Sequence, residues 1–211
     1  MALFNLAVFV KVLLGNNFGR RMLELDWKDR TDRSEHALSA RRWAWLYMLS
    51  KYVDMLDTVF FVLRKKESQI TGLHVYHHST VPTFGWIYFR SNVFHVTAYA
   101  FCLLNTPVHT IMYAYYGLAA LGPQMQPFLW WKRYITQLQI VQFVLLFAHG
   151  LYFCLFQTGY HWFFSVDILW QTGLYLYLFT AFYLRTYKVG ELKRRLSLVV
   201  QQQNGNGKKV E

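Results

Sequence analysis

Three histidines, His74, His77 and His78, stand together in the run Leu73-His74-Val75-Tyr76-His77-His78-Ser79, inside a stretch that is otherwise apolar. Spacings of three and four place the three imidazoles on one face of a helix, pointing into one cavity. A single histidine on an apolar face is usually a hydrogen-bonded core residue. Three converging within a segment long enough to cross a membrane point to catalysis or metal ligation, because an ionisable side chain at mid-bilayer costs about 2.5 to 3.5 kcal/mol on insertion scales.

Three further groups carry polar chemistry into apolar runs. Lys51, Asp54 and Asp57 set a cation ahead of carboxylates at i+3 and i+6, followed by Thr58. Buried charges need partners, so this face turns inward. Either Lys51 and Asp54 neutralise each other, or a carboxylate also orients an imidazole. In the run from Asn105 to Tyr116, the residues Asn105, His109, Met112 and Tyr116 share a stripe, with Tyr113 beside it. Pro107 frees the Leu103 carbonyl and is expected to bend the helix just before His109. Thr136, Gln139 and Gln142 follow at i, i+3 and i+6, continuing loosely to His149. Such a stripe either joins helices, at about 0.6 to 2 kcal/mol per contact, or binds substrate. His36, His95 and His161 fall in loops or near span ends and read as solvated.

The elements that position these groups follow from composition. The chain has 211 residues, 55% hydrophobic and 19% aromatic, which suits one integral membrane domain over residues 1–190 with a polar cytosolic tail over 191–211. Its 22 Lys and Arg against 11 Asp and Glu give a net charge of +11. The basic residues cluster between apolar runs, at Arg64 to Lys66, Trp131 to Arg133 and Lys193 to Arg195, which argues against nucleic acid as a partner and for membrane lipid. A span needs roughly 17 to 25 apolar residues. Trp43 to Leu63, Asn92 to Leu118, Tyr134 to Phe156 and Trp162 to Leu184 qualify directly, and Ile70 to Phe89 and the shorter Ala2 to Leu14 bring the expected number to six. The runs lack the period-two alternation of lipid-facing strands, so the fold class is all-α, a polytopic integral membrane protein with about six transmembrane helices.

If every segment crosses, twelve basic residues lie on the side of the C-terminal tail, against eight opposite that are interleaved with Glu24, Asp26, Asp29, Asp32 and Glu35. The tail side is therefore expected to be cytosolic. The pair Lys208-Lys209 at positions −4 and −3 fits a retrieval signal of the endoplasmic reticulum, which agrees with that orientation. Cys102 and Cys154 have no C-x-x-C spacing and read as small buried hydrophobes. The start, Met1-Ala2-Leu3-Phe4, carries no basic n-region, so no cleaved signal peptide is expected.

The box His74-x-x-His77-His78, the run Lys51-x-x-Asp54-x-x-Asp57-Thr58, the run Asn105 to Tyr116 and the series Thr136, Gln139, Gln142 together resemble the very-long-chain fatty acid elongase family, in its order. Family members usually carry seven membrane helices, with one ahead of the segment that begins this chain, and usually have Glu where Asp54 stands. The resemblance implies a six-helix barrel-like bundle around an acyl-chain tunnel. It implies a 3-oxoacyl-CoA synthase that condenses a long-chain acyl-CoA with malonyl-CoA in the endoplasmic reticulum membrane, releasing CO2 and CoA. No metal or cofactor beyond these substrates is implied. The implied catalytic residues are His74, His77, His78, His109 and Asp57, with His77 as the nucleophile that forms an acyl-imidazole. Lys51, Asp54, Thr58, Asn105, Met112, Tyr113, Tyr116, Gln139 and Gln142 would bind substrate, and Lys65, Lys66, Lys132 and Arg133 at the cytosolic ends could receive the CoA phosphates. The implied partners are the 3-oxoacyl-CoA reductase, 3-hydroxyacyl-CoA dehydratase and enoyl-CoA reductase of the elongation cycle. Val75 in the box is similar to the branch acting on very-long-chain and polyunsaturated substrates. Two rival readings exist: a membrane di-iron desaturase or hydroxylase, which would require several more histidine ligands, and a transporter, which would also bury Lys51 and its carboxylates.

Overall fold

The computed structural model describes residues 1–15, 23, 35–91, 96–156, 162–192 and 196–198, with the backbone alone at 36, 37, 40, 41, 68 and 96–98. His95, His161, the acids from Glu24 to Asp32, Lys193 to Arg195, the Lys208-Lys209 pair and the side chain of His36 lie outside the described residues. Among the described residues the fold is all-helical, without strands. The α-helices are α1 (Ala2–Gly15), α2 (Glu35–Asp54), α3 (Leu56–Leu63), α4 (Gly72–Arg90), α5 (Val96–Ala120), α6 (Lys132–Phe156) and α7 (Trp162–Tyr183), which continues as a π-helical turn over Leu184–Val189.

Local chemistry sets the helix that carries the histidine box. Thr71 is extended, with φ −83° and ψ 160°, and its hydroxyl accepts from the His74 N–H at 3.2 Å. That N-cap satisfies an orphan donor of the first turn and starts α4 two residues before His74. Pro82 sits inside α4 and removes the usual donor to the His78 carbonyl. Helix α5 runs on through Pro107, where Thr106 and Thr110 hydroxyls donate to the carbonyls of Cys102 and Thr106 at 2.7 and 2.8 Å.

Two expectations are corrected. The continuous segment Trp43 to Leu63 is broken at Met55 into α2 and α3, and α2 reaches back to Glu35. At the break, Met55 N–H bonds to the Tyr52 carbonyl at 3.2 Å and Thr58 N–H to the Met55 carbonyl at 3.1 Å, a tighter winding than an α-helix. Neither Pro nor Gly stands there; the tightening falls where Asp54 and Asp57 both reach Tyr113. Cys102 is buried as expected, but Cys154 is exposed, because it shares the outward face of α6 with Leu151 and Leu155.

The principal packing is α6 on α7, α1 on α5 and α5 on α6, with α2 laid on α4. One core cluster joins Val8 and Val12 of α1 to Tyr47 of α2 and Cys102 of α5. Another joins Ala100 of α5, Phe143 and Leu146 of α6 and Tyr175 of α7. By length and composition, Lys132–Phe156 is the one helix among the described residues apolar enough to cross a membrane, with Ala2–Gly15 a shorter apolar helix. The other long helices carry the polar groups on which the site is built.

Close approach of α6 and α7 depends on two glycines. A Cβ at Gly150 would lie 2.8 Å from Ile168 Cγ2, and one at Gly173 would lie 3.3 Å from Phe147 Cε2. Gly150→Leu is therefore expected to destabilise the protein by about 1 to 3 kcal/mol through overpacking. Ile168→Ala should recover part of the loss. Thermal unfolding in detergent of the single and double variants checks this, and equal midpoints for wild type and Gly150→Leu would contradict the packing described.

Candidate active site

The site is centred on a buried ion pair. Lys51 and Asp54 are 4% and 3% exposed, and Lys51 Nζ lies 3.1 Å from Asp54 Oδ2. Spacing i, i+3 on α2 brings them together, as the sequence suggests. The Tyr47 ring lies under the ammonium, 4.7 Å from its centroid, and adds a cation–π contact. The Tyr113 hydroxyl, from α5, sits 2.7 Å from Asp54 Oδ1 and 3.0 Å from Asp57 Oδ2, donating to one carboxylate at a time. Asp54, one methylene shorter than Glu, thus still reaches both Lys51 and Tyr113.

Asp57 therefore meets a phenol. The residue beside it meets the imidazole: Thr58 Oγ1 lies 2.8 Å from His74 Nε2. Among the described residues the nearest carboxylate to an imidazole is that of Asp54, whose Oδ2 is 4.0 Å from His109 Nδ1, beyond hydrogen-bond length. His109 Nδ1 is buried and has no hydrogen-bond partner.

The histidines form a chain of rings across two helices. On α4, His74 and His78 have centroids 4.1 Å apart, and His77 and His78 5.4 Å. His77 then faces His109 of α5 at 6.5 Å, with the ring planes only 19° apart. Tyr175 and Phe179 of α7 close the other side of His77 at 5.3 and 6.1 Å. Among the described residues, no three His, Cys, Asp or Glu side chains are arranged to hold a metal ion.

The remaining expected residues fall around this centre. Asn105 is buried, accepts from the Tyr47 hydroxyl and donates to Gln142 Oε1 at 3.4 Å. Gln139 reaches the Met112 sulfur at 3.8 Å. Thr136 and Gln142 are buried. Tyr116 is 44% exposed, so the stripe Asn105, His109, Met112, Tyr116 turns outward at its end, and Tyr113 is the residue that reaches the carboxylates.

Beside the imidazoles lies a partly open cavity of about 140 Å3. Its wall includes Lys51, Thr80, Phe143, Leu146 and Tyr175. The expected shared cavity of three imidazoles takes another form: His77 adjoins this wall through the Tyr175 ring. The Tyr175 hydroxyl also bonds to Thr80 of α4.

The ELO: GNS1/SUR4 family profile matches residues 1–195. The chain belongs to that family. It is 40% identical over 176 residues to very long chain fatty acid elongase 1 of Mus musculus, covering 80% of this chain and 60% of the relative. It is 42% identical over 183 residues to elongase 7 of Rattus norvegicus, covering 83% and 61%, and 40% identical over 195 residues to elongase 4 of Homo sapiens, covering 89% and 59%. The chain thus spans about six-tenths of the length of these curated relatives.

The site of this GNS1/SUR4 family member also uses α7, which by composition is only an apolar span. Tyr175 packs on His77, Gln171 Oε1 accepts from Tyr76 at 3.3 Å, and Asp167 accepts from Tyr88 at 2.7 Å. The available signal was the spacing Asp167, Gln171, Tyr175, one helical face at i, i+4, i+8, with a carboxylate inside an apolar run.

Removing one partner of the buried pair leaves the other charge uncompensated. Lys51→Met is expected to destabilise by about 3 to 5 kcal/mol, whereas Lys51→Met combined with Asp54→Leu should lose much less. Unfolding midpoints of both proteins in detergent decide the matter; a double variant no more stable than the single one would show that the pair is not coupled as described.

Proposed function

We propose that this protein is a very-long-chain 3-oxoacyl-CoA synthase, an acyltransferase joining a long-chain acyl-CoA to malonyl-CoA. The observation that carries the reading is the near-parallel pair His77 and His109, brought together from two helices beside the buried Lys51, Asp54 and Tyr113. The names of the relatives point the same way.

In this reading a nitrogen of His77 attacks the acyl thioester carbon, the C–S bond breaks, and CoA leaves with the proton that the imidazole releases. Decarboxylation of malonyl-CoA then yields CO2 and an enolate, whose α-carbon attacks the acyl-imidazole. The C–N bond breaks, the imidazolate of His77 takes up a proton from water and is restored, and the product is a 3-oxoacyl-CoA two carbons longer. His109, with a buried nitrogen free of hydrogen bonds, supplies a donor or acceptor opposite His77 as charge develops on oxygen. Thr58 holds His74 and thereby the first turn of the box. Asp54 and Tyr113 position α2 against α5, and with it Lys51 in the cavity wall. No metal or further cofactor takes part.

The cavity receives the acyl chain. The apolar outer faces, including Val141, Val144, Leu145, Leu151 and Leu155 of α6, support a bundle of six spans in lipid. Residues 1–190 then form one membrane domain, placed in the endoplasmic reticulum with a cytosolic tail over 191–211. Lys65 and Lys66, just past the end of α3, and Lys132 and Arg133, in the first turn of α6, are exposed and suit the CoA phosphates. The 3-oxoacyl product requires a reductase, a dehydratase and an enoyl reductase as the enzymes that act next.

Microsomes containing the wild type are expected to incorporate labelled malonyl-CoA into lengthened acyl products. His77→Ala should reduce incorporation by more than about 100-fold, and His109→Ala by at least about tenfold. Full activity in His77→Ala removes that residue from the chemistry, and stoichiometric iron in active purified protein would favour the desaturase reading instead.

A further inference from the structure

The His74 ring is fixed by a hydrogen bond to Thr58, but among the described residues no hydrogen bond reaches the ring of His77. The last torsion of a histidine side chain is broad and roughly two-fold, so packing must set the plane of this imidazole. Three rings stand nearly edge-on to it: Tyr175 at 5.3 Å and 67°, Phe179 at 6.1 Å and 79°, and His78 at 5.4 Å and 67°. Between them the His77 plane lies 19° from that of His109.

One of the three, Tyr175 of α7, is itself anchored to α4. Thr80 Oγ1 donates to the Tyr76 carbonyl at 2.6 Å, which uses the hydroxyl's one proton. The bond between Thr80 and Tyr175 therefore runs the other way, with the Tyr175 hydroxyl donating to Thr80 Oγ1. Thr80 stands three residues after His77 on α4, on the same helical face. His77, Thr80 and Tyr175 thus close a circuit of contacts, in which the height and tilt of the phenol are tied to the helix that carries the imidazole. Phe179 has no polar group to tie, and Phe143 backs both α7 rings, 5.3 Å from Tyr175 and 5.1 Å from Phe179. A clasp between α4 and α7 accounts for the hydroxyl bond, but it does not require the clasping ring to be one that faces His77.

We propose that Tyr175, anchored by Thr80, is a positioning residue that holds the His77 imidazole in the plane from which it reacts. It acts through the imidazole and takes no part in the bond changes. The consequence for rate rests on the acyl-transfer reading; the consequence for the ring itself does not.

The test makes two measurements on the full chain in detergent. With isotope-labelled histidine, the ring C–H resonance of His77, assigned by its loss in His77→Ala, reports how rigidly the ring is held. Free CoA released from a long-chain acyl-CoA in the absence of malonyl-CoA reports the first acyl transfer. Tyr175→Phe keeps the ring and loses the anchor. In it the His77 resonance should shift and its order parameter fall, and CoA release should slow roughly five- to tenfold, the effect of one lost hydrogen bond. The acyl-CoA concentration for half-maximal rate should stay that of the wild type. Thr80→Val should do the same, and decides the matter if Tyr175→Phe does not fold. Thr80→Ser, which keeps the acceptor oxygen, should recover most of the rate, and the double variant of Thr80→Val with Tyr175→Phe should be no slower than either alone. An unchanged His77 resonance, an unchanged rate in the folded variants, or a change in half-saturation alone overturns the proposal. A loosened ring in the variants with no CoA release even from the wild type would overturn the acyl-imidazole reading and leave the positioning of His77 standing.

Discussion

A lysine and an aspartate buried together constrain everything around them. Neither Lys51 nor Asp54 can face lipid or an apolar core without a partner, because the desolvation of each ion amounts to several kcal/mol. Their pairing turns one face of α2 inward, and the second oxygen of Asp54 then requires a donor from another helix. Tyr113 provides it, and that single hydroxyl ties α5 to both Asp54 and Asp57. His109 lies one turn before Tyr113 on α5, so the same tie delivers its ring to the neighbourhood of Asp54 and of His77. The ion pair is thus the origin of the site's geometry more than a participant in it.

The second constraint comes from α7. It is antiparallel to α4, and polar contacts join the two at Tyr76 with Gln171, Thr80 with Tyr175 and Tyr88 with Asp167. Half-buried hydrogen bonds between helices are costly to leave unmade, so these pairs help fix the rotation and the height of α7 against the box. Phe143 and Tyr175 pack 5.3 Å apart, extending the same register to α6. Gly150 and Gly173 then permit the close approach of α6 and α7 that encloses the cavity. Polar pairs inside and apolar faces outside divide the helices by function, and among the described residues α6 alone is long and apolar enough to stand out by composition.

Most of the site was legible because buried polar groups are conspicuous in an apolar chain. The histidine box, the Lys51 run and the residues from Asn105 to Tyr116 could each be identified as inward-facing from spacing alone, and the all-helical fold from the unbroken apolar runs. The partner choices were not legible. Asp57 was expected to orient an imidazole, yet it meets Tyr113, while Thr58 takes His74; a one-residue difference separates the two arrangements, and the tighter winding at Met55 decides between them. Tyr116 lies on the stripe of His109 and Tyr113 beside it, and the approach of Asp54 and Asp57 selects Tyr113.

By itself, then, the sequence determined which faces must be buried and which residue types are gathered there, since periodicity and the cost of unpaired charge are local properties of a chain. Tertiary structure decided which side chain meets which. It placed His77 against His109 and made α7 part of the site. It also set the Asp167 carboxyl in the cavity wall, because the distances between helices depend on packing that no single segment encodes.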